Sequence, residues 1–336
     1  MKYDAAFYEV FAEEKTLLQE YLAEDYRYFF SDKSIQDCDH SEPVASIISL
    51  RTQSKIPENW IETLDGIFSR STGYDHLTNY FESVGKRIPA GHLPRYAARA
   101  VAEHVFMVML MLLRKIDQQR AAVSKFHRDG LTGTELRGKT LTIIGVGNIG
   151  SEIVKIGFGL EMNLVGVDLI EREEIPQKFN LTYTDILNAV SSADIIVCAL
   201  PLTYLTYRML NYGTLKSAKS DAVLINAARG EITPPADLLR LLDEQLLSGI
   251  AIDVYDEESS LGSYLRGEIT LEEINAPDVR QSVESTLALM NHPKVIATPH
   301  NAFNTRESTQ RKAKQTAENI MNFLETGEFL TPIPED

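Results

Sequence analysis

The sequence predicts an α/β protein of two doubly wound domains, the larger inserted into the smaller. Three observations carry this. From Leu141 onward, short apolar runs with few charges alternate with segments of helical spacing. The first hundred residues show the same alternation on a smaller scale, and a helical segment near the end of the chain can return to that first unit. The length, 336 residues, suits two domains of ordinary size.

In the first unit, Ala5–Tyr8, Val44–Leu50 and Gly66–Ser69 read as strands. Val101–Leu113 reads as a long buried helix bridging two domains. Its uncharged stretch, Val105–Leu113, is nine residues, where a membrane span needs about twenty. The strands of the larger unit are Leu141–Ile144, Leu164–Val167, Asp194–Leu200, Ala222–Ile225, Ile250–Ile252 and Val295–Ala297. They show little polar alternation, as expected of strands covered on both faces of a parallel sheet. Pro235–Leu247 places Leu238, Leu239, Leu242 and Leu246 at helical spacing. A last helix, about Thr305–Glu325, carries Ala313, Ala317, Ile320, Met321 and Leu324 on one face, with Gly327 and Pro332 as stop signals.

Composition narrows the function. Acids outnumber bases 48 to 33, a formal charge of −15, which argues against nucleic acid and anionic membranes as partners. Two cysteines, Cys38 and Cys198, make neither a disulfide framework nor a four-ligand zinc site. No metal is expected, and a reducing cytoplasm is the expected compartment. Met1–Val10 carries Lys2, Asp4 and Glu9 and lacks the apolar run of a signal peptide.

Gly145-Val-Gly147-Asn148-Ile149-Gly150 follows a strand and opens a helix with Ile149, Ile153, Ile156 and Leu160 on one face. Asp168 ends the next strand, 18 residues beyond Gly150. That is the arrangement of a dinucleotide site. Gly145 permits the tight turn, Gly147 lets backbone approach a pyrophosphate, and Gly150 lets helix and strand pack closely. The helix N-terminus offers its N–H groups to the phosphates. Asp168 would accept from the ribose hydroxyls and repel a 2′-phosphate, which favours NAD over NADP. A tight turn without a ligand is the alternative.

Ligands of an open parallel sheet bind beyond the carboxyl ends of its strands. Arg229 lies there after Ala222–Ile225, Asp253 and Glu258 after Ile250–Ile252, and His300 after Val295–Ala297. Carbonyl reduction needs a cation for the substrate carboxylate and carbonyl, a histidine to supply a proton, and a carboxylate to orient that histidine. Taken singly, Arg229 could be a surface ion-pair partner, Glu258 part of the solvated acidic run 256–258, and His300 a turn residue.

With these residues in view, the chain resembles the D-isomer-specific 2-hydroxyacid dehydrogenases over nearly its whole length. The matching motifs are Gly145–Gly150, Asn226-Ala-Ala-Arg229-Gly230, Asp253-Val-Tyr-Asp-Glu-Glu258 and Thr298-Pro-His300. Ser71-Thr72-Gly73-Tyr74-Asp75-His76 and Ala102-Glu103-His104 resemble the family's substrate loop and the start of its interdomain helix.

The resemblance implies a Rossmann NAD-binding domain, residues 99–303, inserted into a flavodoxin-like substrate domain, residues 1–98 with 304–336. It implies catalysis by Arg229, Glu258 and His300, and substrate contacts by Thr72, Gly73, Tyr96, Arg229 and His300. Beyond the three glycines and Asp168, it places Asn148, Ile149, Ala199, Pro201, Thr206, Ala227, Asp253, His300 and Ala302 on the cofactor. It implies a homodimer, built through the bridging helix and the arm Asp117–Arg137.

This chain departs from the family pattern in places. Ser259 replaces the usual proline after the glutamate, which makes Glu257 the next candidate for the histidine's partner. Asn148 stands where arginine is frequent. Pro89–Tyr96 is longer than usual, and Ser259–Asn291 reads as a long connection that covers the active site or reaches a neighbouring subunit. Phe303 and Tyr96 resemble the D-lactate dehydrogenase branch, so the expected reaction is reversible reduction of a small pyruvate-like 2-oxo acid. The alternatives are a glyoxylate or hydroxypyruvate reductase, a phosphoglycerate dehydrogenase using Arg51, Arg70 or Arg95 for the phosphate, or an NAD-sensing co-repressor-like binding protein. Intact Glu258 argues against the formate dehydrogenase branch.

Overall fold

The computed structural model describes residues 2–334, and they form two compact units. The smaller holds the described residues up to Ala97 and from Asn304 onward; the larger is Ala98–Phe303.

The smaller unit begins with β1 (Tyr3–Phe7), α1 (Ala12–Tyr21), β2 (Tyr28–Phe30), β3 (Ala45–Leu50), β4 (Gly66–Ser69), α2 (Asp75–Val84) and β5 (Ala90–Gly91). All pairings are parallel, in the order β2-β1-β3-β4-β5. That is the flavodoxin-like order. Ala6, Tyr8, Ile48, Leu50, Trp60 and Ile67 build the core on one face.

The larger unit opens with α3 (Ala98–Leu113) and α4 (Ile116–Ala122), followed by β6 (Thr140–Ile144), α5 (Asn148–Gly159), β7 (Asn163–Val167), α6 (Glu174–Phe179), β8 (Leu181–Tyr183), α7 (Ile186–Ser192) and β9 (Ile195–Cys198). Next come α8 (Tyr212–Leu215), β10 (Val223–Asn226), α9 (Pro235–Asp243), β11 (Gly249–Ile252), α10 (Glu258–Leu265), α11 (Pro277–Met290) and β12 (Val295–Ala297). The sheet is wholly parallel, in the order β12-β11-β10-β9-β6-β7-β8. Its order reverses beside β6, where a Rossmann fold binds its ligand. Both faces are covered, which explains the unalternated strands. Ile144, Ile196, Leu224 and Ile250 pack toward Leu238 and Leu241, while Ile143, Val197, Ile225 and Ala251 pack toward Val105, Met109 and Ile153.

The chain then returns to the smaller unit as α12 (Arg306–Thr326), which packs on α1. Thr305 caps it by accepting the Ser308 amide, and Gly327 ends it in the left-handed region.

Three strands escape the sequence reading: β2, β5 and β8. Each is two or three residues long and lies at a sheet edge. A short edge strand pairs on one side only and needs no continuous apolar run. The long connection Ser259–Asn291 is largely helical, built of α10 and α11. Two parallel neighbours cannot be joined by a tight turn, and this segment is the helical crossover from β11 to β12. It buries Leu261, Val283 and Leu289. In the arm Asp117–Arg137, Val123 and Phe126 are exposed. No helix among the described residues is long and apolar enough to cross a membrane. No group of three or more His, Cys, Asp or Glu among them could hold a metal. Cys38 and Cys198 are both free thiols, and burial pushes Cys198 up to about 12.

Candidate active site and dinucleotide loop

The glycine turn follows β6 at the point where the sheet order reverses. Gly145 has φ +98°, which disfavours any side chain. A Cβ on Gly150 would collide with the Gly145 carbonyl, so only glycine lets α5 start this close to β6. At Gly147 a Cβ would meet nothing within 4 Å, leaving open space over backbone at the start of α5. Asp168 reaches back to the turn: Oδ2 accepts from the Val146 amide at 2.7 Å and Oδ1 from Ile170 at 3.1 Å. These residues fit a dinucleotide, with the open Gly147 backbone for a pyrophosphate and a carboxylate held one strand away.

Other expected cofactor residues fall into place around this edge. Asn148 and Ile149 form the first turn of α5, Ala199 and Pro201 follow β9, and Ala227 follows β10. Thr206 is buried, and its hydroxyl donates to Pro201 O at 2.7 Å and accepts from Thr203 N at 2.8 Å. In this structure it shapes its own loop.

Three adjacent strands, β10, β11 and β12, bring the expected catalytic residues to one edge. Arg229 follows β10, where Asn226 holds the turn by donating to Arg229 O at 2.8 Å and accepting from Ala228 N at 3.0 Å. Its guanidinium donates to Ala228 O at 2.9 Å. Gly230 lies against the backbone of Tyr255 and Asp256, where a Cβ would overlap it, so the turns after β10 and β11 interlock.

Glu258 opens α10, and both of its carboxylate oxygens lie 2.8 Å from His300 Nδ1. A carboxylate can only accept, so Nδ1 carries the proton and Nε2 faces the remaining space. The two side chains are 33% and 38% exposed, open enough for a small substrate. Phe303 packs edge-on to the imidazole, with centroids 6.5 Å apart.

Ser259 in place of proline leaves this geometry intact, and Glu258 is the histidine's partner. Glu257 precedes the helix at φ +54°; burial, with Asp256 and Asp278 nearby, pushes its carboxyl above the ordinary glutamate range.

His300 itself has φ +50°, a strained conformation for a residue with a side chain. Asp253 braces the surrounding loop. Oδ1 accepts from Thr298 Oγ1 at 2.6 Å and from Asn301 N at 2.9 Å, and Oδ2 accepts from Ala302 N at 2.8 Å. Tyr255 OH donates to Thr298 O at 2.7 Å. Asp253 and Ala302, expected on the cofactor, are thus bonded to each other. Sequence reasoning missed the bond from Tyr255 to Thr298; the only signal for Tyr255 was its place within the Asp253–Glu258 motif.

In the smaller unit, β4 leads into the loop of Thr72 and Gly73. Ser71 Oγ donates to Gly73 O at 2.6 Å, and His92 Nδ1 is 2.9 Å from Thr72 O. These bonds occupy the carbonyls of Thr72 and Gly73, while the amides of those two residues have no acceptor among the described residues. Burial lowers the His92 pKa. Tyr96 is buried, and its carbonyl accepts from Arg311 Nε at 2.9 Å. Arg70 is fully buried: it bonds to Glu14, Ser49 and the carbonyls of Tyr8 and Glu9.

The chain is similar to known proteins over most of its length. The model for the D-isomer specific 2-hydroxyacid dehydrogenase, NAD binding domain, matches residues 106–302, more than half of the chain. The D-lactate dehydrogenase of Streptococcus agalactiae serotype V is 30% identical over 273 residues, 80% of this chain and 78% of that protein. The D-3-phosphoglycerate dehydrogenase of Bacillus subtilis is 29% identical over 296 residues, 87% of this chain; the chain spans only about half (52%) of that relative's length. Among solved structures, D-lactate dehydrogenase from Aquifex aeolicus complexed with NAD and lactic acid superposes with a TM-score of 0.83 at 26% identity, covering 99% of this chain and 100% of that one.

Proposed function

The chain belongs to the D-isomer-specific 2-hydroxyacid dehydrogenase family, whose members are NAD-dependent oxidoreductases acting on CH–OH groups, and on that premise we propose that it reversibly reduces a small pyruvate-like 2-oxo acid to the D-2-hydroxy acid. The observation that carries this reading is the His300–Glu258 pair, with Arg229 two strands away on the same sheet edge.

Bound NADH supplies the hydride. Arg229 holds the substrate carboxylate and draws electron density from the carbonyl. His300 Nε2 gives its proton to the carbonyl oxygen, and Glu258 stabilises the charged imidazole before that transfer. In the reverse direction, neutral Nε2 takes the hydroxyl proton. The Thr72 and Gly73 amides are further donors to the carboxylate, and Tyr96 contacts the substrate side chain. The enzyme works as a cytoplasmic homodimer.

Arg70 is fully buried and bonded within the smaller unit, which keeps it from a substrate phosphate; Arg51 and Arg95 are left for that role. This favours an unphosphorylated substrate. The test is kcat/KM with NADH for pyruvate, glyoxylate, hydroxypyruvate, phenylpyruvate, 2-oxoisocaproate and a phosphorylated hydroxypyruvate. Preference for the phosphorylated acid would favour the phosphoglycerate reading. NADH binding without turnover of any 2-oxo acid would favour a co-repressor-like sensor.

Two variants test individual roles. Asp168→Ala should narrow the preference for NADH over NADPH, measured as the ratio of kcat/KM values. Wild-type protein that uses both equally would remove the role given to Asp168. Arg229→Gln should raise KM for the 2-oxo acid and lower kcat with NADH affinity little changed, since the guanidinium acts in both ground and transition states. Wild-type kinetics would make Arg229 a surface residue.

A further inference from the structure

We propose that His104 is a positioning residue for the reaction: through Thr298 and Asp253 it holds the loop on which His300 is carried. The inference rests on the reading of His300 as the acid and adds a residue from a distant part of the chain, on α3.

The direction of each hydrogen bond can be assigned. Thr298 Oγ1 lies 2.6 Å from Asp253 Oδ1, and the carboxylate can only accept, so the hydroxyl proton goes to Asp253. The threonine oxygen then has only lone pairs to offer. His104 Nε2, 3.1 Å from it, must be the donor. The same nitrogen is 3.8 Å from Asp253 Oδ1. Burial lowers the His104 pKa, outweighing the opposing pull of Asp253, so the ring favours its neutral Nε2–H form.

The bonds run in one line from α3 to the loop. His104 donates to Thr298, Thr298 donates to Asp253, and Asp253 accepts the amides of Asn301 and Ala302 on the far side of His300. On the near side, Thr298 O accepts from Tyr255 OH and from the His300 amide at 2.9 Å. His300 is therefore gripped on both sides of its left-handed backbone, a conformation that persists only where the surroundings over-determine it. His104 anchors that grip to α3, which packs against β10, β11 and β12. Without its donor, the Thr298 hydroxyl loses one of its partners, the grip on the loop loosens, and the imidazole is aimed less firmly.

The test compares His104→Leu, which removes the donor, with His104→Gln, whose Nε2 can restore it. In 2-oxo acid reduction, His104→Leu should lower kcat about tenfold, the scale of one lost hydrogen bond at a positioned group, with KM and NADH Kd within about twofold of wild type. His104→Gln should recover most of that loss. Thr298→Val should lose a similar factor, and the His104→Leu/Thr298→Val double variant should be no worse than the poorer single one. Hydrogen exchange of the Asn301 and Ala302 amides, read without substrate, should speed up in His104→Leu and stay slow in His104→Gln. Wild-type protein that turns over no 2-oxo acid would sink the proposed function, and the exchange result would still decide the role of His104. Unchanged exchange in His104→Leu, or a glutamine variant as impaired as the leucine one, would overturn the positioning role.

Discussion

His300→Ala should lower kcat for 2-oxo acid reduction by about 10²–10⁴-fold, the usual worth of a positioned general acid, with NADH Kd within a few-fold of wild type. The imidazole lies just past β12 with Nδ1 committed to Glu258, which leaves Nε2 as its nitrogen for the substrate. Glu258→Gln should cost less. A glutamine oxygen can still accept from Nδ1 and keep the ring in place, but the negative charge that stabilises the imidazolium is gone. Steady-state kinetics in both directions decide this. A His300→Ala enzyme with wild-type kcat would remove the histidine from the chemistry, and a Glu257→Gln variant slower than Glu258→Gln would identify the wrong carboxylate.

Glu14→Gln should destabilise the smaller unit by about 3–5 kcal/mol, the cost of breaking a buried ion pair from one side. Glu14 Oε1 is 2.9 Å from Arg70 Nε and 2.8 Å from Lys312 Nζ, and all three side chains are at most 2% exposed. Burial would raise the Glu14 carboxyl, but Arg70 and Lys312 outweigh it and hold it down at about 2. Removing that negative charge leaves the buried Arg70 guanidinium without its counter-ion and the Lys312 amine without its carboxylate partner.

Lys312→Met should behave differently and change stability by no more than about 1 kcal/mol, because Arg70 still pairs with Glu14 and an apolar chain fills the site. Burial, only partly opposed by Glu14, depresses Lys312 from its ordinary 10.5 to about 7. Between those values the unfolded chain binds a proton that the folded protein does not, so stability should rise from pH 7 to pH 9. The carboxyl of Glu14 acts in the other range: its contribution is complete above about 4.5 and fades as pH falls toward 2. Urea unfolding at pH 7 and pH 9 measures the variants and the Lys312 effect, and a series from about pH 5 down to about pH 2 measures that of Glu14. An unchanged midpoint in Glu14→Gln, or an alkaline rise that survives in Lys312→Met, would contradict the assignment.

The residues proposed for the reaction were legible early because a parallel sheet writes its ligand edge plainly. Its strands are buried on both faces and so read as apolar runs, and the first polar residues beyond them lie at the ligand edge. Arg229, Glu258 and His300 follow β10, β11 and β12 within a few residues of each strand end. Arg70 shows the limit of this rule. It too follows a strand, β4, and was a candidate for a substrate phosphate, yet three surrounding elements enclose it and Glu14 neutralises it.

The sequence by itself determined the two-unit α/β organisation, the central strands, the glycine turn with Asp168, and the placement of Arg229, Glu258 and His300 beyond strand ends. Each depends on local sterics and burial, which periodicity and glycine placement record directly. Tertiary structure alone decided which carboxylate meets His300, that Asp253 braces the loop of that histidine, that His104 donates to Thr298, and that residues 258–290 form crossover helices. Those outcomes depend on strand order and helix docking. His300 and Glu258 are 42 residues apart and His104 and Thr298 are 194 apart, and no spacing along a chain encodes such a meeting until the sheet has chosen which strands lie side by side.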